Sequence, residues 1–274
     1  MRRIMWSVLV LAAICMPFVA RAAGDVSRLS AALRLNDVIA LMHDEGLVYG
    51  EEIAMSLFPT RSDGAWPAAV ERIYDEKKMR AVALPIFERS LAETDLAPLL
   101  AFFESPLGRR ITDLELSARR AMLDESVDRA NAAHVAQLID EGDPRIDQLR
   151  RFIEANDLLE ANVQGALNSN YAFMKAMLDG GAYDPSVTQG DILNDVRDQE
   201  PSVRSDTEKW LFDFLWLAYS GLSDEELDQY IAVSRTPEGQ DMNRALFAGF
   251  DTMFDRISAA LGAEAARVIT AEDL

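Results

Sequence analysis

One phrase written twice constrains this chain more than any other feature. Ser105-Pro106-Leu107-Gly108 and Thr236-Pro237-Glu238-Gly239 both read Ser/Thr-Pro-x-Gly, 131 residues apart. A Ser or Thr hydroxyl suits a helix N-cap, where it accepts one of the first N–H groups, which have no partner inside the helix. Proline suits the next position, since its missing N–H would be unpaired anyway and its φ is already helical. It also disfavours α geometry in the residue before it, which ends the incoming helix. Each phrase therefore predicts helix, corner, helix. Gly108 and Gly239 fall in the first turn of the outgoing helix, where glycine costs ~1 kcal/mol of propensity. Close approach of a neighbouring helix is the expected compensation.

The repetition extends outward. At the same offset Asp75 pairs with Asp206, Leu91 with Leu222, Leu96 with Leu227 and Leu100 with Ile231. Upstream, RLSAALRLND from Arg28 resembles QLRRFIEAND from Gln148, an offset of 120 that pairs Leu29 with Leu149, Asn36 with Asn156 and Asp37 with Asp157. The extra residues of the second copy fall most naturally in DGGAYDPSVTQGDILNDVRDQEPSVRSD, which its Gly, Pro, Ser and Asp content marks as a loop. The reading is a tandem duplication, with repeats at 24–142 and 143–274. Asp143-Pro144 at the junction is a cap followed by a first-turn proline.

Leu96, Leu99, Leu100 and Phe103 form one helical stripe, and Met242, Leu246, Phe250, Met253, Ile257 and Leu261 continue another for five turns. WLFDFLWLAY, residues 210–219, is apolar nearly all round and predicts a buried helix. No stretch alternates long enough to demand a strand. The expected fold class is all-α: two tandem helical repeats packed as a bundle-like array, about five helices in each.

The exposed N–H groups of a helix start can also bind an anion, and Arg109 and Arg110 follow the first phrase. Glu238, Gln240 and Asp241 stand in the second, and that reversal of charge favours a structural corner at Ser105, Pro106, Gly108, Thr236, Pro237 and Gly239. A helix bearing LLAFFESPLGRRI, preceded by LAETDL, resembles the DUF2059 family of exported bacterial helical proteins, whose hallmark is an aromatic–Ser–Pro–x–Gly corner. Residues 66–125 carry the resemblance best. Residues 203–261 carry it more weakly, with Thr236 for serine and Val233-Ser234 where Phe102-Phe103 stand. The resemblance implies a helical envelope protein and supplies no catalytic residue.

Residues 1–23 have the layout of a secretory signal peptide: Arg2-Arg3, an apolar run from Ile4 to Val19, and Ala20-Arg21-Ala22-Ala23. The run is short for a membrane span, which needs ~20 residues, and Pro17 interrupts it. The expectation is cleavage near Ala22 or Ala23 and a periplasmic or secreted protein. The general secretory route fits better than the twin-arginine one, and Ile14 before Cys15 argues against a lipoprotein. Cys15 is the only cysteine. Its loss with the leader excludes disulfides, zinc–thiolate sites and cysteine nucleophiles. The formal net charge of −19 becomes three units more negative without Arg2, Arg3 and Arg21. Such a surface repels phosphate backbones and anionic lipid, so nucleic acid is not an expected partner.

Chemistry-bearing motifs are scarce. His43 and His134 have no carboxylate or second histidine within helical reach, and there is no Gly-x-Ser-x-Gly elbow, phosphate loop or calcium loop. No cofactor, metal or catalytic residue is assigned. Glu104, whose counterpart is Arg235, is the most tempting acid. The aromatic and methionine residues between Trp210 and Phe254 form either a core or an apolar groove between helices. The sequence therefore points first to a non-enzymatic, exported interaction or structural module whose partner is another envelope protein. The alternatives are a binder of a small apolar or lipid-like ligand between the two halves, and a hydrolase using carboxylates alone.

Overall fold

The computed structural model describes residues 16–58 and 65–271, with side chains from residue 24 onward. The leader expectation, residues 1–23, lies outside the residues whose side chains are described. All regular structure among the described residues is helical, as the periodicity predicts, and no described helix is long and apolar enough to cross a membrane. The first half comprises α1 (Met16–Ala32), α2 (Leu35–Leu57), α3 (Ala65–Ile73), α4 (Glu76–Ser90), α5 (Ala97–Phe103), α6 (Pro106–Ala121) and α7 (Glu125–Glu141). The second comprises α8 (Pro144–Ala155), α9 (Leu158–Asp179), α10 (Gln189–Asp198), α11 (Glu200–Tyr219), α12 (Asp224–Ser234) and α13 (Pro237–Thr270).

Caps written in the sequence set most boundaries. Asp75 accepts from the Lys78 N–H, Asp124 from Ser126, and Asp143 from Arg145, while Gly142 ends α7 at a φ of 69°. Thr188 with Asp191, and Ser223 with Glu226, form reciprocal capping boxes. Both repeated phrases are corners. Ser105 Oγ accepts from the Gly108 N–H at 3.1 Å, and Thr236 Oγ1 from the Gly239 N–H at 3.0 Å. The glycines are required by the incoming helix. A Cβ on Gly108 would lie 2.2 Å from the Phe102 carbonyl oxygen, and one on Gly239 would lie 2.2 Å from that of Val233. Ser105→Ala and Thr236→Ala are each expected to cost about 1 kcal/mol, read as a lower urea midpoint. Unchanged midpoints would remove the capping role.

Two expectations are corrected. Each half was expected to hold about five helices; the described residues form seven and six, because corners and caps cut the chain into shorter pieces. The 28-residue stretch read as a loop is irregular only from 180 to 188 and at Gln199. Thr188, Asp191 and Pro201 occupy helix starts there, positions that use the same residue types as turns do. Among the described residues Arg34 and Asp157 are the non-glycine residues with positive φ, at 54° and 51°, and each immediately precedes a long helix, α2 and α9. They lie 123 residues apart, whereas the sequence pairing of Asn36 with Asn156 and of Asp37 with Asp157 runs at 120, a difference of about one helical turn. A three-residue slip along a helix keeps the same face inward, so apolar residues pair acceptably in either register.

Neither core belongs to one half. One cluster joins Leu29, Leu99, Phe103 and Ile111 to Leu149, Leu215, Tyr219 and Leu227. The other joins Ile39, Trp66, Tyr74 and Met79 to Met253, Ile257 and Leu261 near the far end of α13. Complete burial of each such side chain is worth roughly 1.5–3 kcal/mol. α13, at 34 residues, runs past both clusters and packs against α4 and α9.

Candidate functional site

Gly108, Ile111, Glu115 and Ala118 follow one another along a single face of α6, and that face points inward. Glu115 therefore carries a carboxyl into the protein. Tyr219, the last residue of α11, donates its hydroxyl to Glu115 Oε1 at 2.5 Å, and Tyr230 on α12 donates to the same oxygen at 3.2 Å. Oε2 accepts no hydrogen bond among the described residues and is not sealed off. Its open side is a cavity, which also leaves part of the side chain accessible although protein closes round the carboxyl elsewhere. Burial pushes the carboxyl up to about 7 against the two tyrosine hydrogen bonds, which pull the other way. Both tyrosines are raised well above their usual range, first by burial and then by Glu115.

The first corner helps to build this arrangement. Phe102 stacks on Tyr230 with ring centres 5.6 Å apart, and Phe103 meets the same ring edge-on at 6.1 Å. Phe152 from α8 packs against Tyr230 at 4.9 Å and Tyr219 at 5.3 Å. The Ser-Pro-x-Gly turn thus sends two aromatic rings against the tyrosine on one side and the glutamate down α6 on the other.

The cavity beside Glu115 has a volume of about 620 Å³, within the roughly 300–1,000 Å³ usual for small-ligand pockets. It lies between the halves, with walls from α2, α6, α9, α11 and α13. Apolar walls include Leu215, Leu246, Phe247, Phe250 and Phe254, with Phe214 stacked on Trp210 at 5.4 Å. Three acids and one basic residue line it. Arg119 is committed to Glu45, which it grips through Nε at 2.6 Å and Nη2 at 2.7 Å. Asp251 is pushed up to about 6, first by burial and then by the charge of Asp255. Asp251 has room because residue 165 is glycine, whose Cβ would lie 2.8 Å from the carboxylate.

The other sequence candidates lie elsewhere or serve the scaffold. Glu104 is on the surface, paired to Arg28 at 2.8 Å. His43 Nδ1 is 2.8 Å from the Tyr74 carbonyl oxygen, and His134 meets the Trp216 ring at 5.5 Å. Among the described residues no three His, Cys, Asp or Glu side chains group as metal ligands. At the first corner the N–H of Gly108 is taken by Ser105, and Arg110 is paired with Glu226 at 2.8 Å. Residues 210–254 serve both expected roles: Leu211, Phe212 and Tyr219 are buried core, while Trp210, Phe214 and Phe250 border the cavity.

Glu115, Tyr219 and Tyr230 were not singled out from the sequence. Two signals were available. Glu115 is an acid on an otherwise apolar helical stripe, and 131 residues further on the second phrase has Leu246. Tyr230 correspondingly stands where the first copy has Leu99.

No curated protein and no solved structure matches the chain. Residues 77–137, which run from α4 into α7 and include the first corner and Glu115, match the model of DUF2059, an uncharacterized protein conserved in bacteria.

Proposed function

We propose that this chain is an exported binding protein, built from a duplicated helical unit, that holds a small and largely apolar molecule in the cavity between its halves. The cavity carries the reading: about 620 Å³ of space walled by leucine and aromatic side chains, with a few polar groups directed into it. It favours the ligand-binding alternative over the interaction or structural module that the sequence put first. Export is supported by the leader-like residues 1–23. Duplication is supported by the two corners with the same cap and the same glycine contact, and by the matched left-handed residues before α2 and α9.

The test is titration with N-phenyl-1-naphthylamine, a neutral fluorophore. One saturable site is expected, lost when Ala166, which lines the cavity, is changed to tryptophan. A ligand at one hundred times its Kd should add about 2.7 kcal/mol of stability. The reading fails if the fluorophore does not bind, or if Ala166→Trp folds and binds it unchanged.

A carboxylate-only hydrolase has one observation on its side, the sequestered Glu115 with its raised pKa. Glu115→Gln separates the two readings. It abolishes turnover in a hydrolase and leaves binding of the neutral fluorophore intact in a binding protein.

A further inference from the structure

Resting on that reading, the polar groups of the cavity specify the chemistry of one end of the ligand. Glu115 is enclosed by protein apart from the cavity, and Oε2 faces that space without a partner among the described residues. Asp251 lines the same cavity, and among the described residues no hydrogen bond is made to its carboxylate. The single cation on the wall, Arg119, is held bidentately by Glu45. Tyr219 and Tyr230 both spend their hydroxyl protons on Glu115, and the donors that remain on the wall, among them the Tyr49 and Tyr74 hydroxyls and the Trp210 indole N–H, are neutral.

A carboxylate or phosphate end group would enter a site with two unpaired acids and no uncommitted cation among the described residues. It would lose its hydration and find only neutral donors, with no charge to offset its own. A hydroxyl end group could donate one hydrogen bond to Oε2. An ammonium group could donate to Oε2 and neutralise the carboxylate, a charge-assisted hydrogen bond that a hydroxyl cannot match. We infer that the cavity takes an apolar amine, with the hydrocarbon part along the Leu and Phe walls and the ammonium group at Glu115 Oε2. A carboxyl pushed up by burial suits this role, because an arriving cation favours its ionised form.

The experiment compares three probes of equal chain length, decylammonium, decanol and decanoate, by calorimetry on the full chain at pH 8. Decylammonium is expected to bind at least tenfold tighter than decanol, and decanoate more weakly than either. Glu115→Gln should remove the preference for decylammonium over decanol. Asp251→Asn, a second variant in case the first does not fold, should reduce the preference several-fold. Ala166→Trp should abolish binding of all three, which separates the cavity from attraction of cations to the acidic surface. Equal affinity for decanol and decylammonium, or tighter binding of decanoate, overturns the amine assignment and leaves the cavity reading standing. Retention of the preference in both carboxamide variants overturns it too. If neither decanol nor decylammonium binds, the cavity reading itself falls and takes this inference with it.

Discussion

Gly108→Ala should destabilise the protein by about 2–4 kcal/mol, although alanine is the better helix former. Propensity alone would give a gain of about 1 kcal/mol. Opposing it, the new methyl would lie 2.2 Å from the Phe102 oxygen and 2.5 Å from Phe103 Cα, and both are backbone atoms. No side chain can rotate away, so the corner itself must open, and overpacking of that kind costs 1–3 kcal/mol or more. Opening would also move Phe102 and Phe103, which pack on Tyr230. Gly239→Ala should cost less, about 1–3 kcal/mol. Its contact with the Val233 oxygen is as close, but the next atoms are 3.1 Å away and no aromatic pair depends on it. Urea unfolding with an unchanged slope would read both effects as midpoint shifts. An alanine that stabilises at either position would mean that the corners do not hold their helices in this contact.

The second large effect is on pH dependence. The Glu115 carboxyl titrates near 7 in the folded protein, against an ordinary 4.5. Between those values the unfolded chain has released this proton and the folded chain still holds it. The folded state then binds more protons, so stability falls as pH rises through this window. The total loss from this group is roughly 3 kcal/mol, complete above pH 7. Asp251 acts in the same direction with a smaller weight, since its carboxyl is only partly enclosed. Tyr219 and Tyr230 stay neutral throughout, their hydroxyls being pushed further above their usual range. Glu115→Gln keeps the shape and an acceptor for both tyrosines but cannot ionise. Relative to the parent chain it should gain about 3 kcal/mol between pH 5 and pH 8, read from paired urea midpoints. A constant difference between the two proteins across that range would mean that Glu115 is solvated and ionised at neutral pH. The cavity would then present a full charge at all physiological pH values.

Local signals were legible without coordinates wherever a residue type answers to the backbone within a few positions of itself. Ser105, Thr236 and Asp143 announce helix starts because a side-chain oxygen one or two bonds from Cβ reaches the N–H two or three residues ahead. The stripes of leucine and phenylalanine made the fold class plain, since 3.6 residues per turn leaves little else for them to be. Where two structures share the same residue types, the sequence could not decide. The Gly, Pro, Ser and Asp residues from 179 to 206 suit loops and helix starts alike, and a three-residue slip between Leu29 and Leu149 preserves the buried face.

Helical periodicity and the paired corners followed from the chain alone, because both rest on interactions within one turn. That Glu115 faces Tyr219 and Tyr230, more than a hundred residues away, was decided only by the packing of α6 against α11 and α12. The same packing left a space beside Glu115. A cavity is the part of the fold that no residue fills, so its volume depends on how far apart the helices stand, and no single stretch of sequence records that distance.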